Sequence, residues 1–206
     1  MRVAIIGSGH VGGELARAWA ARGHDVVLGA RDPGDPAVVA RAASLGAGVA
    51  TVAAAAADAA VVALAVPAAA LDDVVAALGA LRGTIVVDCT NAIAPGPAPR
   101  VGHTTSSAEE LARRLPGARV VKAFNTQGAE ILRRPVIDGV AAAGFYCGDD
   151  DDARRVVAGL IADVGLEPVD VGPLRNARLL EPLMLLWVAT SRAVGSRGVA
   201  LTLLRR

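Results

Sequence analysis

Val3-Ala4-Ile5-Ile6-Gly7-Ser8-Gly9-His10-Val11-Gly12 opens the chain with an apolar run and passes at once into the spacing G-x-G-x-x-G. Four apolar residues without polar alternation read as a strand covered on both faces. Glycine at 7 permits a tight turn, glycine at 9 lets a ligand approach the backbone, and glycine at 12 lets the following helix pack on the strand. That helix is predicted from about Val11 to Arg22. Its start leaves the N–H groups of Ser8, His10 and Val11 free to meet an anion, aided by the helix dipole. His10 can touch that anion or cap the helix; both readings stand. Alone the glycine spacing is weak, and the strand before it and the helix after it give it meaning.

The next strand, Asp25 to Gly29 after the Gly23-His24 turn, bears on the ligand. A dinucleotide with a free ribose 2′-OH calls for a carboxylate about 20 residues beyond the glycine turn. Gly29-Ala30-Arg31 stands there instead. A guanidinium beside the ribose pairs with a 2′-phosphate by charge and by its fork of donors. The expectation is therefore NADP rather than NAD, held at Ala30 and Arg31, the alternative for Arg31 being a solvated surface residue. Asp32-Pro33 reads as a turn initiator.

Farther along, apolar strands predicted near Val49 to Val52, Val61 to Val66 and Thr84 to Asp88 alternate with helices over Pro36 to Leu45 and Ala68 to Leu81. A capping box of Ser107 with Glu110 starts another helix, ended by Pro116-Gly117. Two strands, Arg119 to Phe124 and Val140 to Cys147, flank a short helix over Gln127 to Leu132. Asp151 to Val164 is helical, Glu167 to Val171 a last strand, and Leu179 to about Val194 a helix apolar nearly all round. This alternation predicts a doubly wound parallel α/β sheet, the Rossmann NAD(P)-binding fold, with a small helical C-terminal portion. The division expected is 1–147 for nucleotide binding and 148–206 for a small portion closing the cleft, whose apolar helix must be buried in the chain's own core or against a second copy.

Composition narrows the function. The 206 residues are 53% hydrophobic but only 2% aromatic, so Ala, Val and Leu must fill the core. Twenty-one basic against 20 acidic residues, a net charge of +1, excludes a polyanion binder held by bulk charge. Five aromatics make no stacking platform for nucleic acid. Two cysteines, Cys89 and Cys147, form no disulfide framework or metal spacing, and no run is long enough to span a bilayer. A reduced cytoplasmic protein without membrane or nucleic-acid partners is expected.

No nucleophile triad, carboxylate pair or metal set emerges, so no catalytic residue is assigned. Asp149 to Asp152 reads as an N-cap with its dipole complement rather than a cation site. His24, in the turn between elements, reads as structural, His103 has no recognisable partner, and Lys122, the single lysine, is attributed to an arginine-rich composition. Hydride transfer between two bound rings needs no protein nucleophile. The carboxyl ends of the strands bring Val66-Pro67, Cys89-Thr90-Asn91 and Phe124-Asn125-Thr126 to the expected ring site. Asn91, Asn125 and Thr126 can bond a ring amide or simply form turns.

The chain resembles the deazaflavin-dependent NADP oxidoreductases, which pass hydride between NADP and coenzyme F420. The likeness runs through Ile5–Gly12, Val27–Asp32, Val121-Lys122-Ala123-Phe124-Asn125-Thr126, Cys147–Asp151 and Gly172–Glu181. It implies NADP held by the glycine turn and Arg31, a deazaflavin stacked on the nicotinamide, closure by Pro173 to Asn176, and a homodimer through the C-terminal helix. Archaeal members carry His where Asn125 stands and an apolar residue where Gln127 stands. The Lys-Ala-Phe-Asn-Thr form is similar to bacterial relatives and to the cytosolic domain of membrane metalloreductases that pass electrons to a flavin. A flavin is thus the alternative acceptor. A non-catalytic NADP(H) sensor, or an enzyme for a small imine or keto acid like the pyrroline-carboxylate reductases, are alternatives of other kinds.

Overall fold

A computed structural model describes residues 1–94, 98–99 and 104–205. His103 and the Pro/Gly-rich run at 95–97 lie outside the described residues. One sheet is built from β1 (Arg2–Ile6), β2 (Asp25–Ala30), β3 (Gly48–Thr51), β4 (Val61–Leu64), β5 (Ile85–Asp88), β6 (Arg119–Ala123), β7 (Ala143–Gly148) and β8 (Glu167–Asp170). Their order across the sheet is β8-β7-β6-β5-β4-β1-β2-β3. The central strand β1 pairs in parallel with both β2 and β4, Ile6 facing Gly29 on one side and Leu64 on the other. Chain order reverses at that strand, opening a crevice at its carboxyl end. The Rossmann reading holds.

Two details of the sheet differ from expectation. The run predicted as one strand from Val140 to Cys147 divides into a small hairpin, Val136–Ile137 with Val140–Ala141, and β7. β7 then runs antiparallel to β6, Tyr146 opposite Ala123 and Gly148 opposite Val121. The hairpin turns the chain back beside β6 without a crossover, so the strand can only enter reversed. β8 follows parallel to β7, so residues beyond 148 extend the same sheet.

Helices cover both faces: α1 (His10–Ala21), α2 (Pro36–Ser44), α3 (Val52–Ala57), α4 (Leu71–Leu78), α5 (Ser107–Arg114), α6 (Ala129–Arg133), α7 (Asp151–Val164) and α8 (Ala177–Val194). On one face Leu15 and Trp19 of α1 meet Leu160 and Ile161 of α7. Trp19 donates its Nε1–H to the Leu160 carbonyl at 2.9 Å and sets its ring edge-on to Phe124, centroids 5.8 Å apart. On the opposite face Ala55, Leu78, Leu111, Leu174, Ala177 and Leu180 pack together.

Four local expectations are corrected. The helix expected over 68–81 is a short 3₁₀ turn, Ala68–Ala70, followed by α4. α3 is unpredicted; Thr51 starts it by accepting the Ala54 N–H at its Oγ1. The cap of α5 is one residue earlier than expected: the Ser106 hydroxyl accepts the Glu109 N–H and bonds the Glu109 carboxylate. α8 is not apolar all round in its packing. Leu180, Met184 and Trp187 are buried, whereas Leu179, Leu186 and Val194 are 56–67% exposed on its outer face.

Glu109 also accepts two hydrogen bonds from Arg178, at 2.8 and 2.6 Å, tying α5 to α8. The Arg178 guanidinium holds that carboxyl below its ordinary value of 4.5, burial opposing only in part. A depressed folded pKa gives stability that is present above the unfolded value and lost as pH falls through the folded one. The expected result is that Glu109→Gln, less stable than the parent at pH 7, loses less stability on acidification below 4.5. Parallel stability-against-pH curves for the two proteins would refute it.

Candidate functional site

The turn after β1 is shaped as its glycines require. Gly7 holds φ at +102°, where a Cβ would stand 2.5 Å from the Ala65 carbonyl oxygen. A Cβ on Gly12 would lie 1.8 Å from the Gly7 carbonyl oxygen, whereas one on Gly9 would meet nothing within 4 Å. The first and last glycines thus serve packing, and the middle one fronts open space where a phosphate can reach the backbone. Gly9 is also the N-cap of α1, with no side-chain capping bond and no acid in the first turn. His10 is exposed and does not cap the helix, which leaves the N–H groups of its first turn to an anion.

Beside this turn lies a cavity of about 560 Å³. Ile6, Gly7 and Ser8 form its floor, Leu28 to Arg31 one wall, and Val66, Pro67, Val74 and Ala77 the facing wall. Its size falls within the usual range for ligand pockets, and its mostly apolar walls suit a purine. Exposed Arg31 stands at its edge. The acids after Arg31 are engaged locally: Asp32 Oδ1 accepts the Gly34 N–H at 2.9 Å, and Asp35 Oδ1 caps α2 at the Ala37 N–H. Among the described lining residues the one acid is Asp73, which belongs to α4 and not to the end of β2.

The second cluster of predicted residues meets past β5 and β6. Asn91 Nδ2 donates to the Asn125 carbonyl at 2.9 Å, while Asn125 Nδ2 donates to Asn91 Oδ1 at 3.1 Å and to the Leu180 carbonyl at 2.9 Å. Asn125 and Thr126 are buried, and Asn125 Oδ1 has no partner among the described residues. Phe124, just before, holds φ at +61°, a strained conformation for an aromatic residue and one that occurs at functional sites. Gln127 is an internal strut, its Nε2 donating to the Ala143 carbonyl at 2.8 Å.

Pro173 and Asn176 are placed elsewhere. Their turn follows β8, with the Leu174 N–H on Asp149 Oδ1 at 2.9 Å and the Asn176 amide on the Val171 carbonyl. Because β7 runs against β6, that turn sits toward the amino edge of β6, and neither residue lines the cavity. Asp150 caps α7 through the Ala153 N–H, and no group of three potential metal ligands occurs among the described residues. His24 Nε2 bonds Asp163 Oδ2 at 2.8 Å, joining the β2 turn to α7. Burial pushes the Cys147 thiol up to about 12, and the Cys89 thiol is raised by the same cause, so neither is a ready nucleophile.

Sequence reasoning passed over one feature. Lys122, on β6, is wholly buried; its Nζ lies 2.9 Å from Asp88 Oδ2, 2.6 Å from the Thr90 carbonyl and 3.3 Å from Glu181 Oε1. Asp88 Oδ1 accepts the Thr90 N–H at 2.9 Å and its hydroxyl at 2.7 Å. Glu181, on α8, accepts the Ser107 and Ala108 N–H groups at 3.0 and 3.1 Å and so caps α5. The available signal was a charged residue inside an apolar strand run, which demands buried partners.

Among the described residues no helix is long and apolar enough to cross a membrane. The family described as NADP oxidoreductase, coenzyme F420-dependent, matches residues 2–92. The crystal structure of a candidate F420-dependent NADP reductase from Arthrobacter sp. FB24 superposes with a TM-score of 0.89 at 30% identity, covering 100% of both chains. That of a hypothetical protein from Sinorhizobium meliloti gives a TM-score of 0.76 at 33% identity, over 100% of this chain and 96% of that one. Metalloreductase STEAP3 of Rattus norvegicus is 34% identical over 94% of this chain, which spans only 39% of that relative's length. Together with a sheet that reverses at β1 and a glycine turn shaped for a dinucleotide, these likenesses place the chain in the F420-dependent family of NADP oxidoreductases.

Proposed function

We propose that the chain binds NADP(H) along the carboxyl edge of its sheet and exchanges hydride with coenzyme F420. The observation that carries this reading is the uncapped start of α1 beside an apolar cavity that ends at Arg31 without a carboxylate from β2. Gly7, Gly9 and Gly12 shape the pyrophosphate turn, and Ser8, His10 and Val11 supply N–H donors. Ala30 and Arg31 take the 2′-phosphate, and Val66 and Pro67 flank the path to the ring. Asn91, Asn125 and Thr126 form the nicotinamide end, where half-buried Asn91 can meet the ring and Asn125 and Thr126, buried behind it, hold it in place. When both rings are bound, they supply the hydride chemistry and the chain orients them. The exposed Leu179, Leu186 and Val194 of α8 form the face by which two copies would pair.

A flavin as acceptor is the second reading, favoured by Asn125 in place of the archaeal histidine. Gln127 says little about the choice, since its amide is committed to the Ala143 carbonyl. The test is NADPH oxidation against oxidised F420, FMN and FAD, with NADH as control. F420 with NADPH is expected to turn over at about 1–1000 per second, the ordinary enzymatic range. Turnover with a flavin alone would replace F420 by that flavin. NADPH binding without turnover would make the chain a sensor.

A further inference from the structure

Lys122 is the least expected residue of the interior. Exchanging a buried ion pair for apolar side chains often leaves stability unchanged or improved, so energy alone does not account for this lysine. Its bonds are concentrated in one place. Thr90 is clamped at three atoms: its carbonyl to Lys122, its N–H and hydroxyl to Asp88. The next residue, Asn91, is thereby presented to Asn125, and Asn125 in turn reaches the carbonyl of Leu180, the neighbour of Glu181. The Asn91–Asn125 pair is thus held from both sides by residues adjacent in sequence to the Lys122 cluster. None of these bonds reaches Gly7, Gly12 or Arg31, which lie across the switch point, in the turn after β1, on α1 and just past β2. Burial alone would favour the neutral amine, but the facing carboxylates of Asp88 and Glu181 outweigh it and keep Lys122 protonated.

We infer that Lys122 is a positioning residue for the nicotinamide end of the site, acting through Thr90 and the Asn91–Asn125 pair and not on the adenosine and phosphates. The inference rests on the NADP reading above. Its test compares two ligands by calorimetry: NADPH, and 2′-phospho-ADP-ribose, which lacks the nicotinamide. The parent is expected to favour NADPH by about tenfold, the added ring contributing contacts at a preorganised site. Lys122→Met is expected to abolish most of that preference while leaving 2′-phospho-ADP-ribose within about threefold of the parent.

Should Lys122→Met fail to fold, Asp88→Asn/Lys122→Met removes one charge of each sign and leaves an acceptor for Thr90. The same loss of preference is expected from it. An unchanged preference overturns the inference, as does equal weakening of both ligands, which marks a general structural role. Failure of the double variant to fold also overturns it, making Lys122 a folding residue. A parent that binds both ligands equally refutes ring positioning alone. A parent that binds neither refutes the NADP reading itself.

Discussion

Arg31→Asp is expected to bind NADPH about 100-fold more weakly than the parent, a loss of about 2.7 kcal/mol, while NADH stays within about tenfold. Two terms add. The charge-assisted bonds to the 2′-phosphate vanish, and a carboxylate then faces a phosphate of the same sign. NADH has no 2′-phosphate, and the new carboxylate can accept its ribose hydroxyl. The substitution should not disturb folding, because Arg31 is exposed and belongs to neither hydrophobic cluster. Preference between the cofactors is read by titrating each into parent and variant at two salt concentrations. The parent's NADPH affinity should fall more steeply with salt than its NADH affinity. If both cofactors bind the variant as they bind the parent, Arg31 is a solvated surface residue and selection lies elsewhere.

How much of this was legible follows from where each signal is stored. The first strand and turn were readable because apolar continuity and fixed glycine spacing are local in sequence. Apolar continuity says nothing of strand direction, so the reversal of β7 could not be read; it depends on a two-by-two hairpin at Val136–Ile137 and Val140–Ala141. α3 escaped because an alanine tract carries no periodicity, although Thr51 three residues before Ala54 was a usable cap signal. Ser106 and Ser107 each precede a glutamate by three residues, so the capping box had two registers. Glu181 decides between them by occupying the Ser107 and Ala108 N–H groups from 73 or 74 residues away. The Lys122 cluster was hidden for the same reason: Asp88, Lys122 and Glu181 meet only through tertiary packing.

Glu181→Ala is expected to destabilise the fold by about 3 kcal/mol, lowering Tm by about 6–12 °C. Glu181 is buried, and its loss orphans two N–H groups of α5, at Ser107 and Ala108, both also buried. An unsatisfied buried donor costs about 1–3 kcal/mol, which sets the magnitude. Lys122 is not left alone by the change, since Asp88 remains at 2.9 Å. Lys122→Met should cost more, about 3–5 kcal/mol, because two buried carboxylates would then share a site with no cation. In that background Glu181→Ala removes a like charge as well as a cap, so its cost should shrink. The double variant is expected to be more stable than the sum of the singles by about 2 kcal/mol. Additivity within about 0.5 kcal/mol in denaturant unfolding would show that the two residues do not interact, and would remove α8 from the ion cluster. Because its partners hold the Lys122 ammonium above the ordinary value of 10.5, this contribution is fully present through neutral pH. It is lost only as pH rises through that raised value, so the coupling measured at pH 7 and pH 9 should agree.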